Sequence, residues 1–173
     1  LHFLDFETFN PAVPLYDNSR PYQKITFQYS LHIQDGKKGA PRHCEFLAET
    51  GSDPRKPFIE KLLADTQGAG DVLVYNQAFE IGCLNDLARI FPKYAKAIKG
   101  LIARIKDLMV PFQSKHYYVP EMRGSYSIKA VLPALVPSMS YENLAIKDGG
   151  MASSTFEQLP NETAPAKIAK TVK

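Results

Sequence analysis

Asp71-Val72-Leu73-Val74-Tyr75-Asn76-Gln77-Ala78-Phe79-Glu80 is the stretch on which the reading of this chain turns. Three consecutive apolar residues, two of them β-branched, read as a short strand buried on both faces. The apolar period then changes: Phe79, Cys83, Leu84, Leu87 and Ile90 fall on one helical stripe, with Pro92 beyond its end. In sheets with parallel strands, such strand-to-helix units deliver their C-terminal ends to one rim, where ligands bind. Glu80 sits at that rim, one turn inside the helix. On its own, a carboxylate there does no more than complement the positive end of the helix.

Upstream, Leu1-His2-Phe3-Leu4-Asp5-Phe6-Glu7 reads as a short buried strand ending in polar groups, and Asn10 to Pro21, with three prolines, as a loop. From Gln23 to Gln34, Ile25, Phe27, Tyr29, Leu31 and Ile33 alternate with polar residues, the period of a strand with two unlike faces. Asp35 to Gly39 supplies a turn, and His43 to Ala48 a partner strand. Pro54 to Thr66 has helical spacing with Asp53 as its N-cap. Ala95 to Ala103 reads as helix, Arg104 to Met109 as a short strand, and Ser127 to Leu135 as an amphipathic run that Pro133 shortens. The whole is an α/β domain with a mixed sheet.

Asp5 and Glu7 lie two apart on a strand, so both carboxylates project from one face. Like charges at that spacing repel unless a cation or water intervenes. With Leu4 and Phe6 on the opposite face and Phe3 on theirs, the strand reads as buried, and hard oxygen donors of this kind suit Mg²⁺ or Mn²⁺. The plainer alternative is an exposed strand end carrying two solvated acids.

Taken together, these segments resemble a known family. Leu4-Asp5-Phe6-Glu7-Thr8 is similar to the first motif of the DEDD (DnaQ-like) 3′–5′ exonucleases, and Tyr75-Asn76-Gln77-Ala78-Phe79-Glu80 with Leu84 to their second, with Glu80 where most of the superfamily has Asp. Ile105 to Met109 and Gly124 to Leu132 resemble the segments that follow. Within the superfamily the chain looks closest to a bacterial branch known as a domain of unknown function and often found beside a RecB-like nuclease domain.

The resemblance implies an RNase H-like mixed sheet flanked by helices on both faces, spanning residues 1–173 as a single domain. It also implies two divalent ions about 3.5–4 Å apart. Asp5, Glu7 and Glu80 would be the catalytic ligands, with Asp107, Asn76 and Tyr75 supporting them. The family's fourth acid has no clear counterpart: Asp148 sits in what reads as a turn, and the last motif is expected beyond Lys173. Leu1 opens straight into an apolar run and the basic Ala164–Lys173 stretch carries no stop signal, so the chain reads as a piece of a longer protein whose other domains are its partners. Asp107 has a second reading, as the cap of a helix starting at Leu108.

Composition narrows the partners. The net charge of +3 is modest, but residues 86 to 130 hold nine Lys or Arg against three acids. Tyrosines are interleaved there, and Gln113 to Gly124 reads as a substrate-facing loop. Lys115, Tyr117, Tyr118, Arg123 and Lys129 are the candidate contacts to single-stranded DNA or RNA, by phosphate neutralisation and base stacking. A solvated surface helix is the plainer reading of the same charges. No apolar run approaches the ~20 residues of a membrane span. Cys44 and Cys83, far apart, argue against a zinc ribbon or disulfide scaffold and for a reducing cytoplasm. Two further functional classes remain: a catalytically impaired nucleic-acid-binding module of a larger nuclease or CRISPR-associated protein, and an interaction domain whose carboxylates are surface charge.

Overall fold

The computed structural model describes residues 1–36, 39–139 and 149–158 of the 173-residue chain. Five strands form one mixed sheet in the order β3-β2-β1-β4-β5. These are β1 (His2–Phe9), β2 (Ile25–Ile33), β3 (Arg42–Leu47), β4 (Val72–Val74) and β5 (Ile105–Asp107). β2 runs antiparallel to both β1 and β3, while β1, β4 and β5 run parallel to one another. The helices are α1 (Arg55–Asp65), α2 (Gln77–Ile90), α3 (Ala95–Ile102), α4 (Val110–Gln113), α5 (Ile128–Leu135) and α6 (Gly149–Gln158). Among the described residues no helix is long and apolar enough to cross a membrane.

One face of the sheet carries the main core. Leu4 and Phe6 of β1 and Tyr29, Leu31 and Ile33 of β2 pack against apolar stripes of α1, α2 and α3. Phe58 of α1 is fully buried and meets Phe6, Tyr29 and Phe46 edge-on, with ring centroids 5.1, 5.5 and 5.7 Å away. The Tyr29 hydroxyl donates to Asp65 at 2.6 Å, tying β2 to the end of α1. Asp53 does not take the cap position itself, which falls on Pro54, but its carboxylate accepts from Arg55 N–H at 3.0 Å.

The alternation in β2 does not put all five apolar residues on that face. The β1–β2 register shifts between Glu7 and Thr8, where β2 takes an extra residue, and the pairing resumes as Thr8 with Thr26 and Phe9 with Ile25. Ile25 and Phe27 therefore leave the main core and join Phe9, Ala152 and Phe156 in a second cluster. Phe156 stacks on Phe27 at 4.2 Å, so α6 lies on the face of β1 opposite α1–α3. Gly149 and Gly150, which complete the Lys147–Gly150 stretch read from sequence as the turn around Asp148, lie in this helix instead. Pro133, expected to shorten α5, sits inside a helix that continues to Leu135. Phe58→Ala should cost about 3–5 kcal/mol in urea unfolding while leaving the secondary structure measured by circular dichroism in place.

Candidate functional site

The parallel arrangement of β1, β4 and β5 brings three chain segments to one rim. β1 carries Asp5 and Glu7, β4 leads through Tyr75 and Asn76 into α2 with Glu80, and β5 ends on Asp107. Asp107 fixes the relation between them. Its Oδ1 accepts from the backbone N–H of Asn76 at 2.9 Å and of Met109 at 2.9 Å, and its Oδ2 from Gln77 N–H at 3.0 Å. Its carboxylate thus caps α2, thirty residues earlier in the chain, as well as the turn entering α4. This is a positioning role. Asn76 adopts left-handed φ 74, a conformation that Asn tolerates better than most residues, and this lets the chain turn sharply from β4 into α2.

Glu80 is the electrostatic focus. It is 1% exposed, and its Oε2 has no hydrogen-bond partner. Burial, helped by the negative charges of Asp5 and Asp107, pushes its carboxyl up to about 8, against the opposing pull of its own backbone N–H and, more weakly, of Lys24. Asp5 is raised too, chiefly by desolvation. The structure therefore places Glu80 within electrostatic reach of Asp5 and Asp107.

The buried setting expected for Asp5 is not found. Among the described residues Asp5 and Phe3, the latter 39% exposed, keep part of their surface open, α6 covering the Phe9 end of that face, although enough protein surrounds the Asp5 carboxyl to raise it. Glu7 is half-buried against the start of α6, where a Cβ on Gly149 would lie 3.1 Å from its Oε2.

These donors suit a hard divalent ion: anionic oxygens, one of them orphaned in the interior. Among the described residues, however, no three His, Cys, Asp or Glu side chains gather closely enough to hold one. Asp148, and any acid beyond Lys173, lie outside the described residues.

The family assignment follows from the segment just described. Residues 2–127, from the start of β1 to the cap of α5, match the family defined as a domain of unknown function, DUF2779. The chain belongs to the DUF2779 family. It is similar to three curated proteins that carry no functional description: "Uncharacterized protein UU173" of Ureaplasma parvum (27% identity, 85% of this chain), "Uncharacterized protein MG366 homolog" of Mycoplasma pneumoniae (26%, 87%) and "Uncharacterized protein MG366" of Mycoplasma genitalium (26%, 87%). The chain spans 24–25% of the length of these relatives. No solved structure matches it.

In this DUF2779 chain the loop singled out for nucleic acid folds over the same rim. The Tyr75 hydroxyl donates to Tyr126 C=O at 2.6 Å, and Arg123 lines a cleft of about 660 Å³ with Tyr75, Asn76 and Tyr126. Lys115 and Tyr118 line a neighbouring cleft of about 420 Å³, and the Tyr118 hydroxyl accepts from Gly124 N–H at 3.0 Å. Tyr117 packs edge-on against Phe112, and Lys129 is exposed on α5.

Part of the basic excess serves the fold. Arg104 donates to the carbonyls of Gly70 and Thr66 at 2.7 and 2.8 Å, and Arg89 pairs with Asp86 at 3.0 Å. Sequence reasoning passed over α6 and the residues Tyr22 and Lys24. The apolar i, i+4 pair Ala152 and Phe156 was the one available signal for α6.

The position of Glu80 makes stability depend on pH. Between its ordinary value of 4.5 and about 8, the folded chain holds a proton that the unfolded chain has released. Stability therefore falls as pH rises through that window and levels off above it. Glu80→Gln should remove this slope. In denaturant titrations with chelator present, the variant should gain on the order of a few kcal/mol over the parent at pH 8.5 and almost nothing at pH 4.5.

Proposed function

We propose that this chain is the hydrolytic domain of a larger protein, a metal-dependent nuclease of the DEDD (DnaQ-like) type acting on single-stranded DNA or RNA, most simply from the 3′ end. The observation that carries this reading is Glu80, a carboxyl group removed from water, left with an unpartnered oxygen and subject to the charge of a second acid, Asp5. Burying the charged form is costly unless a cation compensates it, so without one the group keeps its proton, and perturbed acids of this kind mark functional sites. A mixed sheet with helices on both faces is also what the RNase H-like resemblance implies.

Asp5, Glu7 and Glu80 would hold Mg²⁺ or Mn²⁺, which when bound activates water and stabilises the leaving 3′ oxygen. The chain's own residues do the rest. Asp107 fixes the entry of α2 so that Glu80 stays at the rim, and Arg123 lines the cleft through which a phosphate would approach. A second reading, a nucleic-acid-binding module with impaired catalysis, is favoured by the lack of a three-ligand cluster among the described residues and by Glu80 in place of Asp.

Calorimetric titration of Mn²⁺ decides between them. The hydrolytic reading expects binding by the parent that Asp5→Ala abolishes, together with a drop of about 100-fold or more in cleavage of a labelled single strand. Strand binding without Mn²⁺ uptake would establish the second reading instead.

A further inference from the structure

The β1–β2 connection and α6 border a cleft of about 610 Å³ whose lining includes Glu7, Tyr22, Lys24, Phe79 and Ser153. A second cleft of about 370 Å³ continues toward Arg20 and shares Tyr22, Lys24 and Phe79 with the first. The two form one trough that runs from Glu7 past Lys24 to Arg20, with Glu157 and Asp86 as its other charged lining residues.

Its wall is held rigidly. Gln23, 3% exposed, accepts from Arg20 N–H at 3.1 Å through Oε1 and donates its own N–H to the Arg20 carbonyl at 3.1 Å, while Tyr22 N–H donates to the Pro11 carbonyl at 2.9 Å. This bracing holds Tyr22 at φ 58 with the residue 70% exposed. A bulky aromatic in left-handed backbone is a strained choice at a position where Gly or Asn would sit without penalty, and its ring gains nothing by facing water. Lys24 lies two residues on, its Nζ 4.6 Å above the Phe79 ring, next in sequence to Glu80. Among the described residues no carboxylate forms an ion pair with Lys24, and Arg20 meets Asp86 only loosely, at 3.9 Å with 68% of its side chain exposed.

We propose that residues 20–24 are a single-strand grip for the candidate site, in which Tyr22 stacks on a base while Lys24 and Arg20 neutralise the phosphates leading to the Asp5–Glu7 rim. The grip rests on the nucleic-acid reading above and moves the principal strand contact from Lys115–Lys129 to the β1–β2 connection. Strain stored in an exposed aromatic fits a platform that must be rigid before the base arrives, and the sequence-tolerant pairing of stacking with phosphate charge is how single strands are held.

The test is fluorescence anisotropy of a labelled single-stranded oligonucleotide in chelator, so that no strand is cut. Tyr22→Gly relieves the backbone and removes the ring, so it should raise the melting temperature yet weaken binding about 5-fold or more. Tyr22→Phe should bind like the parent. Lys24→Gln should lower the slope of log affinity against log salt by about 0.7, the loss of one phosphate contact. Parent-like affinity in both Tyr22→Gly and Lys24→Gln would overturn the grip, as would a Tyr22→Phe variant as weak as the glycine. A parent that binds strands through Tyr22 but takes up no Mn²⁺ would keep the grip and overturn hydrolysis, whereas Mn²⁺ uptake with strand binding indifferent to Tyr22 would do the reverse.

Discussion

The three hydrogen bonds that Asp107 accepts hold the candidate site together. β5 is only three residues long, and its last side chain reaches across to the first amides of α2 and to Met109. Without that carboxylate, the N–H groups opening α2 would be unpaired, and the sharp left-handed step at Asn76 would have nothing to brace it. Because α2 carries Glu80 one turn later, the angle at which it leaves the sheet sets where the buried carboxyl group lies relative to Asp5. A short edge strand thus controls the geometry of acids on two other elements.

That geometry runs against the usual rules of a protein interior. At the rim the charges of Asp5 and Asp107 both act on Glu80, which is almost entirely removed from water. Asp107 is satisfied by amides, Asp5 remains partly open to solvent, and Glu80 alone lacks a partner for one oxygen. Lys24 offsets some of this charge without contacting it as an ion pair. The rim is therefore least settled where the proposed cation would sit.

Much of the architecture could be read from the sequence. The run Val72-Leu73-Val74 and the stripe from Phe79 to Ile90 fixed a buried strand and its helix, because hydrophobic period survives in any context. The mixed sheet followed from the alternation at residues 29–33 and the turn after it. What could not be read depended on partners far away in the chain. Asp107 looked like the cap of its own neighbours, and it does receive Met109, but its larger role lies with Asn76 and Gln77, a contact no local pattern encodes. The glycines at 149 and 150 looked like the end of a turn around Asp148, yet they lie in α6, since the seat for Phe156 exists only once Ile25 and Phe27 have changed sides. Asp5 looked enclosed because Phe3 shares its face, and nothing in the sequence says how far along β1 the covering helix reaches. Tyr22 and Lys24 were hidden in a proline-rich loop, where backbone strain leaves no compositional trace.

The extra residue in β2 has a consequence for how this protein can change over time. Upstream of it the strand's odd positions share a face with the acids, and downstream the even positions do. Loss of a single codon anywhere from Ile25 to Gln28 would therefore not trim a loop. It would rotate the far end of the strand by half a turn, turning Ile25 away from Phe156 and leaving the covering helix without its seat. Exchange of one side chain for another leaves that register intact, whereas a change of length does not.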